Sequence, residues 1–348
     1  MSDAKPVAAA IVGLGRWGQN LVTAVSDQTI HPLRFVQGVT RTPAKATDFA
    51  ASQGFPISDD FDAMLNDASV EAVVLATPHS QHFSHICKAA QAGKHIFVEK
   101  PLALTLKEAR DAIAQCNRQG VVLAVGFNRR FLPAFKELSD TFDRGKLGTA
   151  LHIEANFSGP FGYSYTGDMW RGTSAENPAG GMAAMGIHML DAMIHLLGPV
   201  RSVATLSRQR AISAPMDDTT HVQVDFACGA LGSLTTLMAT QASWRLQLFG
   251  SSGWAALRDQ QTLEMHLTEQ NRVLVQHNVN NTLAEELATF AACIRGQGHF
   301  PVTQVEVMQG VAAMEAISLS AARGGERLLL NRYELFRQLS VCNYPLSD

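Results

Sequence analysis

The chain has 348 residues with 46% hydrophobic residues, 27 glycines and 13 prolines, which excludes a disordered or collagen-like protein and fits about two globular domains. The formal net charge of −3 gives no general attraction for nucleic acid or anionic lipid, so neither is expected as a partner. Only 17% of the residues are charged, against about 25% in an average protein, and we expect a cofactor or a second subunit to cover part of the surface.

The start of the chain and its cysteines favour a cytoplasmic location. The first apolar run is interrupted by glycines, unlike a secretion signal, and no stretch of eighteen apolar residues predicts a membrane span. The cysteines are odd in number and far apart, which predicts neither a disulfide framework nor a zinc site. They are Cys87, Cys116, Cys228, Cys293 and Cys342.

Up to about residue 125, short unbroken apolar runs alternate with helical stretches. Such alternation is typical of a doubly wound parallel sheet with helices on both faces. The predicted elements of this half are strands at 7–12, 33–39, 72–76, 95–98 and 121–125, and helices at 83–92 and 106–117. We therefore predict an α/β domain over residues 1–125.

A glycine-rich turn follows the first strand and reads Gly13-Leu14-Gly15-Arg16-Trp17-Gly18, a G-x-G-x-x-G pattern. Gly13 permits the tight turn, Gly15 lets a pyrophosphate approach the backbone, and Gly18 lets the helix pack on the strand. The helix that follows offers free N–H groups to the phosphate. A glycine turn needed only for packing is the alternative. The strand–turn–helix context favours a dinucleotide cofactor held at Gly13 to Gly18.

The end of the second strand bears on which dinucleotide is bound. An acidic residue there would accept hydrogen bonds from both ribose hydroxyls and favour NAD. The sequence instead reads Thr40-Arg41-Thr42, and Asp48 is too far along to substitute. Arg41 suits a 2′-phosphate, although an exposed loop arginine is the alternative. We favour NADP over NAD.

The next strand ends in Thr77-Pro78-His79, with His82 and His85 following. Open α/β sheets bind ligands at the carboxyl ends of their strands, so Thr77, Pro78, His79 and His82 are expected to border the nicotinamide; a solvated helix start is the alternative. The histidine spacing also raises a metal site. No cysteine joins the histidines and no acidic residue lies within a turn, so no metal is expected.

Glu99-Lys100-Pro101 closes the following strand. A lysine at this edge of the sheet can give a proton to a carbonyl or take one from an alcohol. A lysine that merely decorates the end of a strand explains the spacing as well.

After residue 125, apolar and polar residues alternate strictly, which is typical of antiparallel strands with one buried face. The predicted strands lie near 151–158, 221–226 and 263–267, the turn Gly250-Ser251-Ser252-Gly253 separates two others, and helices that flank the sheet are predicted at about 131–144, 182–196, 283–295 and 303–323. This half is predicted to be α+β.

Taken together, the motifs resemble the Gfo/Idh/MocA oxidoreductases. The resemblance extends over nearly the whole chain, leaving out the tail after about residue 330. It depends on Gly13 to Gly18, Ala76-Thr77-Pro78 with His82, Glu99-Lys100-Pro101-Leu102, Gly126-Phe127-Asn128-Arg129-Arg130-Phe131, Trp170-Arg171, Gly180-Gly181, Gly186-Ile187-His188 with Asp191, Gly250-x-x-Gly253 and the helix near Gly310 to Gly324.

The resemblance implies a Rossmann domain over residues 1–125 followed by an α+β substrate and oligomerisation domain over residues 126–348, with a large, mainly antiparallel open sheet. That sheet commonly forms the subunit contact, so a homodimer or homotetramer is expected. The cofactor is NAD(P), with Glu99 and Lys100 beside it, and the Lys100–Pro101 peptide bond is usually cis in the family.

The resemblance also implies roles for side chains of the second half. Lys100 and His188 become the catalytic residues, with His188 as general base or hydroxyl partner. Asp191 becomes a substrate contact or an orienter of its neighbours; His188, Asp191 and His195 share one helix face by spacing. Two buried polar residues, or a metal site that the family does not use, are the alternatives.

The loop from residue 159 to 177 is long enough to favour a functional role over an idle Ω-loop. The resemblance places Trp170 and Arg171 beside the active site and Asn128 and Arg129 toward the substrate. Tyr163 and Tyr165 in the same loop are weaker candidates, and an Ω-loop packed on its own aromatic residues is the alternative.

One position departs from the family pattern. Members that oxidise polyols often carry an aspartate four residues before the histidine, where this chain has Ala184. The expected activity is hydride transfer between the nicotinamide and a hydroxyl or carbonyl carbon of a small substrate, such as a sugar, polyol or derivative. Ala184 leaves two alternatives open: a dihydrodiol-type dehydrogenase acting on a non-sugar, or a regulator that binds NAD(P) without turnover.

Overall fold

The computed structural model describes residues 5–29 and 31–330, so the tail after residue 330, with Cys342, lies outside the described residues. Chain contacts divide the protein into two compact units. Among the described residues, unit 1 contains those up to Ala103, Lys107–Asn128 and Asn281–Thr303; unit 2 contains Leu104–Leu106, Arg129–Asn280 and those from Gln304 to Leu330. The predicted domain boundary near residue 125 stays a prediction.

Unit 1 is built on a six-stranded parallel sheet in the order β3-β2-β1-β4-β5-β6, which confirms the doubly wound fold. Its strands are β1 Val7–Val12, β2 Leu33–Val39, β3 Ile57–Ser58, β4 Ala72–Leu75, β5 His95–Glu99 and β6 Leu123–Gly126. Every residue of β1 and β4 is buried, as expected for strands covered on both faces.

Most helices around this sheet alternate with its strands in sequence. The helices are α1 Arg16–Ser26, α2 Thr47–Gln53, α3 Phe61–Asn66, α4 His82–Gln91, α5 Leu106–Gln119 and α8 Thr282–Ile294, with short 3-10 helices at Pro43–Lys45 and His79–Gln81. The exception is α8, which follows all but the last strand of the second sheet in sequence but packs in unit 1. The prediction that the 283–295 helix flanks the second sheet was wrong. Its apolar residues Leu287, Phe290 and Ala291 belong to the core of unit 1, where the ring of Phe290 lies 5.8 Å from that of Phe97.

Unit 2 contains a nine-stranded sheet in the order β14-β13-β12-β11-β7-β10-β9-β8-β15. Its strands are β7 Ala150–Ser158, β8 Val200–Arg208, β9 Thr219–Phe226, β10 Leu231–Leu237, β11 Ser243–Gly250, β12 Gly253–Leu257, β13 Thr262–Leu267, β14 Val273–Gln276 and β15 Leu328–Leu329. All the pairs are antiparallel except β7 with β10, which is parallel. The expected mainly antiparallel sheet is confirmed, although β7 itself is of mixed pairing.

Three helices of unit 2 pack near this sheet: α6 Pro133–Asp143, α7 Gly186–Leu197 and α9 Gln304–Ala322. Short 3-10 helices lie at Asn128–Phe131, Pro160–Ser164, Trp170–Gly172 and Gly180–Met182. Helix α7 contacts β7, β10 and α9, and of its twelve residues all except His195 are buried. No helix among residues 5–29 and 31–330 is long and apolar enough to cross a membrane.

Helix α7 begins at Gly186, four residues later than predicted. The preceding residues form the 3-10 turn Gly180–Met182, in which Gly180 has a positive φ of 61°. A Cβ at Gly180 would collide with the carbonyl oxygen of Asp217, so this turn requires glycine. The predicted helix began too early because the apolar residues from Met182 onward fit a helical period, although Met182 belongs to the 3-10 turn.

Candidate active site

The glycine turn of unit 1 has the geometry that the sequence predicts. Gly13 has φ of 95°, and a Cβ there would lie 2.6 Å from the carbonyl oxygen of Ala76. A Cβ at Gly18 would collide with the carbonyl oxygen of Gly13. A Cβ at Gly15, in contrast, would meet no atom within 4 Å. Gly13 and Gly18 are therefore required for packing, while Gly15 leaves open space over the turn.

The same turn leads into a helix end suited to a phosphate. Helix α1 begins at Arg16, and no side chain caps its first turn through Gly15. Uncapped N–H groups at a helix start attract negative charge. Trp17, the next residue, packs partly buried against the core of unit 1. The open space at Gly15 and the uncapped helix fit the pyrophosphate of a dinucleotide.

The first residues after β2, Thr40 to Thr42, include no carboxylate. The Thr40 N–H donates to the carbonyl oxygen of Ser58 at 2.9 Å, and the Arg41 side chain is exposed. Because β2 neighbours β1 in the sheet, Thr40 and Arg41 follow at the same edge as the glycine turn. This placement fits a basic contact with the adenosine half of a dinucleotide.

The strand registers bring three predicted site segments to one edge of unit 1. Val12 pairs with Leu75, and Leu75 pairs with Val98. All three strands are parallel, so the glycine turn, Thr77 and Lys100 follow at their carboxyl ends. This is the edge where open α/β sheets bind ligands.

His82 lies between two of these loops. It is 0% exposed, with its Nδ1 atom 2.7 Å from the carbonyl oxygen of Pro101 and its Nε2 atom 3.0 Å from the carbonyl oxygen of Thr77. His79 is buried on the short helix before it, with the two imidazole centroids 6.0 Å apart. No group of three His, Cys, Asp or Glu side chains within the described ranges is arranged to hold a metal ion.

His85 lies one turn further along α4. Its Nδ1 atom is 3.3 Å from the Thr77 hydroxyl, and its ring centroid is 4.7 Å from that of Phe61. Burial lowers the pKa of His85 to about 4, with the charge of His82 acting in the same direction. His85 is therefore neutral near pH 7 and can accept the Thr77 hydroxyl proton in a hydrogen bond.

Lys100 follows β5 directly and is partly buried, and the peptide bond to Pro101 is cis, in agreement with the resemblance. Glu99 is buried at the end of the strand, where its Oε1 atom lies 3.0 Å from the position that a Cβ on Gly126 would take. Glycine at that point of β6 gives the Glu99 carboxylate room beside the neighbouring strand.

Asn128 is more enclosed than a substrate contact usually is. Its side chain is buried, and its Nδ2 group donates to the Thr282 hydroxyl at 3.0 Å. The contact fastens the end of the first parallel sheet to the start of α8, within unit 1. These contacts favour a structural role for Asn128 over the predicted substrate contact.

In unit 2, His188 and Arg129 meet at one aromatic ring. The His188 imidazole centroid lies 6.1 Å from the ring of Phe157, and the Arg129 guanidinium lies 5.9 Å from the same ring. His188 is buried on the first turn of α7, and Arg129 is partly buried. Phe157, from β7, is a site residue that the sequence reasoning missed, because its alternation marked it only as sheet core.

Asp191 is held by an arginine. Arg130 Nε lies 2.6 Å from Asp191 Oδ2 and Arg130 Nη2 lies 2.9 Å from Asp191 Oδ1, with the two side chains only 3% and 5% exposed. Burial alone lowers the pKa of Arg130, but Asp191 and Glu306 reverse the effect and raise it. Of the two predicted roles, these contacts favour Asp191 as an orienter.

The ion pair continues into a short polar network. Arg130 Nη2 also lies 3.0 Å from Glu306 Oε1, and the same oxygen lies 2.8 Å from His195 Nδ1. His195 Nε2 lies 3.1 Å from the Ser139 hydroxyl. The network links α6, α7 and α9. The sequence did not reveal Arg130 and Glu306 as members of this network, because the residues that they contact are far from them in sequence.

The loop from residue 159 to 177 is fastened to the end of β10. Backbone N–H groups of Gly159 and Gly162 donate to the carbonyl oxygens of Leu237 and Met238 at 2.9 and 2.8 Å. The Arg171 guanidinium lies 4.1 Å from the centre of the Trp170 ring. The predicted Trp170–Arg171 pair is thus a stacked unit on an anchored loop.

The surroundings of Ala184 are apolar. Ala184, Phe157, Tyr165 and Ala239 are partly buried and pack against one cluster of buried residues. That cluster consists of Met185, Ile212, Ala214, Met216 and Met238. Because Phe157 also contacts His188, the apolar cluster extends to the histidine.

Two family profiles match the chain. The oxidoreductase family with an NAD-binding Rossmann fold, GFO_IDH_MocA, matches residues 7–127. The GFO/IDH/MocA C-terminal domain matches residues 135–256. Together the two matches span more than half of the chain.

Individual relatives point in the same direction. The scyllo-inositol 2-dehydrogenase (NAD(+)) of Bacillus subtilis (strain 168) is 36% identical over 157 residues, which cover 42% of this chain and 43% of that protein. The trans-1,2-dihydrobenzene-1,2-diol dehydrogenase of Bos taurus is 26% identical over 253 residues, covering 70% of this chain and 74% of that enzyme. A solved structure of levoglucosan dehydrogenase in complex with NADH and levoglucosan has a TM-score of 0.84 at 20% identity, and the match covers 94% of this chain and 100% of that one, which shows a shared fold.

Proposed function

The chain belongs to the Gfo/Idh/MocA family of NAD-binding oxidoreductases, and from this premise we propose that it transfers a hydride between a nicotinamide and a hydroxyl or carbonyl carbon of a small substrate. The observation that carries the proposal is the row formed by the glycine turn, Thr77 and Lys100 at the carboxyl edge of three neighbouring strands. A proton-carrying lysine lies there at the same edge as the dinucleotide site.

The residues of unit 1 divide the work of holding the cofactor. Gly13, Gly15, Arg16, Trp17 and Gly18 form the turn and helix start that receive the pyrophosphate. Thr40 and Arg41 receive the adenosine ribose, and the positive charge of Arg41 favours NADP over NAD. The residues bordering the nicotinamide are Thr77, Pro78, His79, His82, Glu99 and Lys100. When bound, the nicotinamide supplies the hydride acceptor or donor.

Two side chains manage the proton that accompanies the hydride. Lys100 donates a proton to the forming alkoxide in reduction and accepts the hydroxyl proton in oxidation. His188 serves as general base or hydroxyl partner. Its ring is oriented by packing on Phe157, and α7, which carries it, is fastened through the Asp191–Arg130 ion pair. Arg129, Trp170 and Arg171 contribute substrate contacts.

The substrate we propose first is a sugar, a polyol or a derivative, because the scyllo-inositol relative acts on a polyol. The apolar cluster around Ala184 favours a second candidate. A substrate with an unsaturated or alicyclic ring and few hydroxyls would pack against this cluster without leaving polar groups unsatisfied. The dihydrodiol dehydrogenase relative represents that class.

A turnover screen tests the proposal. The purified protein is mixed with NADPH or NADH and carbonyl substrates, and with the oxidised nucleotides and alcohols, while absorbance follows the nicotinamide. Turnover of polyols or sugars supports the first candidate, and turnover restricted to dihydrodiols or other apolar alcohols supports the second. Tight nucleotide binding with no turnover on any member would favour a regulator instead.

We also propose that a second copy of the chain covers one face of the sheet in unit 2. Helices α7 and α9 pack on one face: Gly232 lies against Met193, and the Thr205 N–H donates to the Ser320 hydroxyl at 2.9 Å. On the opposite face, Leu206 and Leu231 are 52% and 57% exposed. Light scattering after gel filtration is expected to give a dimer or tetramer, and a monomer would contradict the proposal.

The cellular location remains part of the proposal. Among the described residues, Cys87, Cys116, Cys228 and Cys293 are free thiols, which suits a reducing cytoplasm.

A further inference from the structure

Both ring nitrogens of the buried histidine His82 lie at hydrogen-bond distance from a backbone carbonyl oxygen. Its ring nitrogens lie 2.7 Å from the Pro101 carbonyl oxygen and 3.0 Å from the Thr77 carbonyl oxygen. A carbonyl oxygen only accepts hydrogen bonds, whereas a neutral imidazole has one N–H and one lone pair. In either neutral tautomer, one lone pair would face a carbonyl oxygen at hydrogen-bond distance, inside the protein.

We propose that His82 is a positioning residue held as an imidazolium cation, whose two N–H groups fasten the loop after β4 to the loop after β5. The doubly protonated ring satisfies both contacts, and hydrogen bonds from a charged donor are the stronger kind. These bonds oppose the cost of placing the charge away from water. The proposal rests on the proposed function only for its effect on Lys100.

The neighbouring titratable groups fit this assignment. From the short helix before α4 comes His79, whose ring centroid lies 6.0 Å from that of His82. From α4 itself comes His85, and burial lowers the pKa of His85 to about 4. From β5 come Glu99 and Lys100, which directly precede Pro101. His85 stays neutral, with its Nδ1 atom 3.3 Å from the Thr77 hydroxyl, so the two histidines contact both the carbonyl oxygen and the hydroxyl of Thr77.

His82 and its two carbonyl contacts join the two loops that carry Thr77 and Lys100. Thr77 follows β4, and Pro101 follows Lys100 at the end of β5; these strands are neighbours. With both carbonyls fixed to one ring, the backbone on which Lys100 is mounted keeps a constant distance from the Thr77–Pro78 loop. A fixed positive charge near this backbone also favours the neutral form of the lysine, which is the form that accepts a proton.

The protonation state is tested directly by NMR on the full-length protein labelled with ¹⁵N-histidine. The sample is held at about pH 7.5, roughly one unit above the ordinary histidine pKa of about 6.5. We expect both ring nitrogens of His82 to carry protons, with the signal assigned by its loss in His82→Gln. A neutral-tautomer pattern for His82 would overturn the inference, and this result does not depend on any turnover.

His95 provides an internal reference in the same spectrum. It lies at the opposite end of β5, where its Nδ1 atom accepts the Val122 N–H at 3.0 Å, and burial lowers its pKa. His95 should therefore show a neutral pattern under conditions where His82 shows the cation. Identical patterns for the two residues would contradict the assignment.

The positioning role is tested by kinetics on His82→Gln, with His95→Gln as the matched control. We expect kcat to fall about 10- to 100-fold, the effect of a small misplacement of a reacting group, with a smaller change in nucleotide Kd. The pH midpoint for oxidation should move to higher pH, because the charge that favours neutral Lys100 is gone. Unchanged kcat and pH profile in a folded His82→Gln protein would overturn the role. If the wild-type protein turns over no substrate, the proposed function fails while the NMR result still decides the protonation state.

Discussion

Replacing Arg130 by methionine should destabilise unit 2 strongly. Arg130 is 3% exposed and Asp191 5% exposed, and the guanidinium contacts both carboxylate oxygens as well as Glu306. Removing it leaves a buried carboxylate without its cation, a change that costs about 3–5 kcal/mol. For a unit of this size, each kcal/mol lowers Tm by about 2–4 °C, so Tm should fall by about 6–20 °C.

The assay is thermal unfolding followed by circular dichroism, with Arg295→Met as the matched control. Arg295 makes the same kind of two-point contact with Glu71, at 2.7 and 3.2 Å, but the side chains are 30% and 37% exposed. Exposed pairs contribute about 0.2–1 kcal/mol, so the control should lower Tm by a few degrees at most, about 0.4–4 °C.

A double variant separates the buried charge from the packing. In Arg130→Met with Asp191→Leu, no carboxylate is left facing the missing guanidinium, and much of the lost stability should return, because apolar replacement of a buried pair is often neutral. The reasoning is refuted if Arg130→Met and Arg295→Met shift Tm equally, or if the double variant is less stable than the Arg130→Met protein by the full cost of a second loss.

Three further predictions follow from the same contacts. Gly15→Ala should fold normally and weaken nucleotide binding in calorimetry, whereas Gly18→Ala should destabilise unit 1, because a Cβ at Gly18 collides with backbone and a Cβ at Gly15 does not; equal Tm values would contradict this. Arg41→Ala should raise the Kd for NADPH by about 10- to 150-fold, the value of a hydrogen bond to a charged group of about 1.5–3 kcal/mol, and leave that for NADH nearly unchanged; an equal effect on both would remove Arg41 from the 2′-phosphate. Burial raises the pKa of Asp218, but three backbone N–H bonds outweigh it and lower the pKa below its ordinary value. Its contribution to stability is therefore present above about pH 4 and lost as pH falls further, so urea unfolding of Asp218→Asn should show a weaker acid dependence than the wild type; identical slopes would contradict it.

The sequence predicted the parallel sheet well because its strands are buried on both faces and appear as unbroken apolar runs. All six residues of β1 and all four of β4 are buried, and the predicted β2 has the observed bounds Leu33–Val39. The glycine turn was also predictable, since Gly13 and Gly18 leave no room for a Cβ and Gly15 borders open space.

Contacts between distant segments could not be predicted in the same way. The apolar face of helix α8 does not identify its partner, and only the fold shows that Phe290 packs near Phe97. The parallel pairing of β7 with β10 has no local signal either, because alternation does not reveal the direction of a neighbouring strand.

The same distinction separates the residues of the candidate site that the sequence predicted from those that it did not. Lys100 and the glycine turn lie where strand ends predict them, because position in a parallel sheet follows from chain order. Asn128 and Asp191 have partners that sequence does not reveal: Thr282 for the first and Arg130 for the second. Arg130 adjoins Arg129 in sequence, yet the two guanidinium groups have different surroundings, an acidic one for Arg130 and the Phe157 ring for Arg129.

The most direct test of the central claim compares wild type with Lys100→Ala in two measurements on the same samples, nucleotide binding by calorimetry and turnover with the best substrate from the screen. The lysine lies at the carboxyl edge of β5, outside the glycine turn, so the variant should bind nucleotide with nearly the wild-type Kd. Turnover should fall by about 100-fold or more, the usual contribution of a positioned acid or base. A Lys100→Ala protein that binds nucleotide and turns over substrate at the wild-type rate would contradict the assignment of Lys100 as the proton carrier.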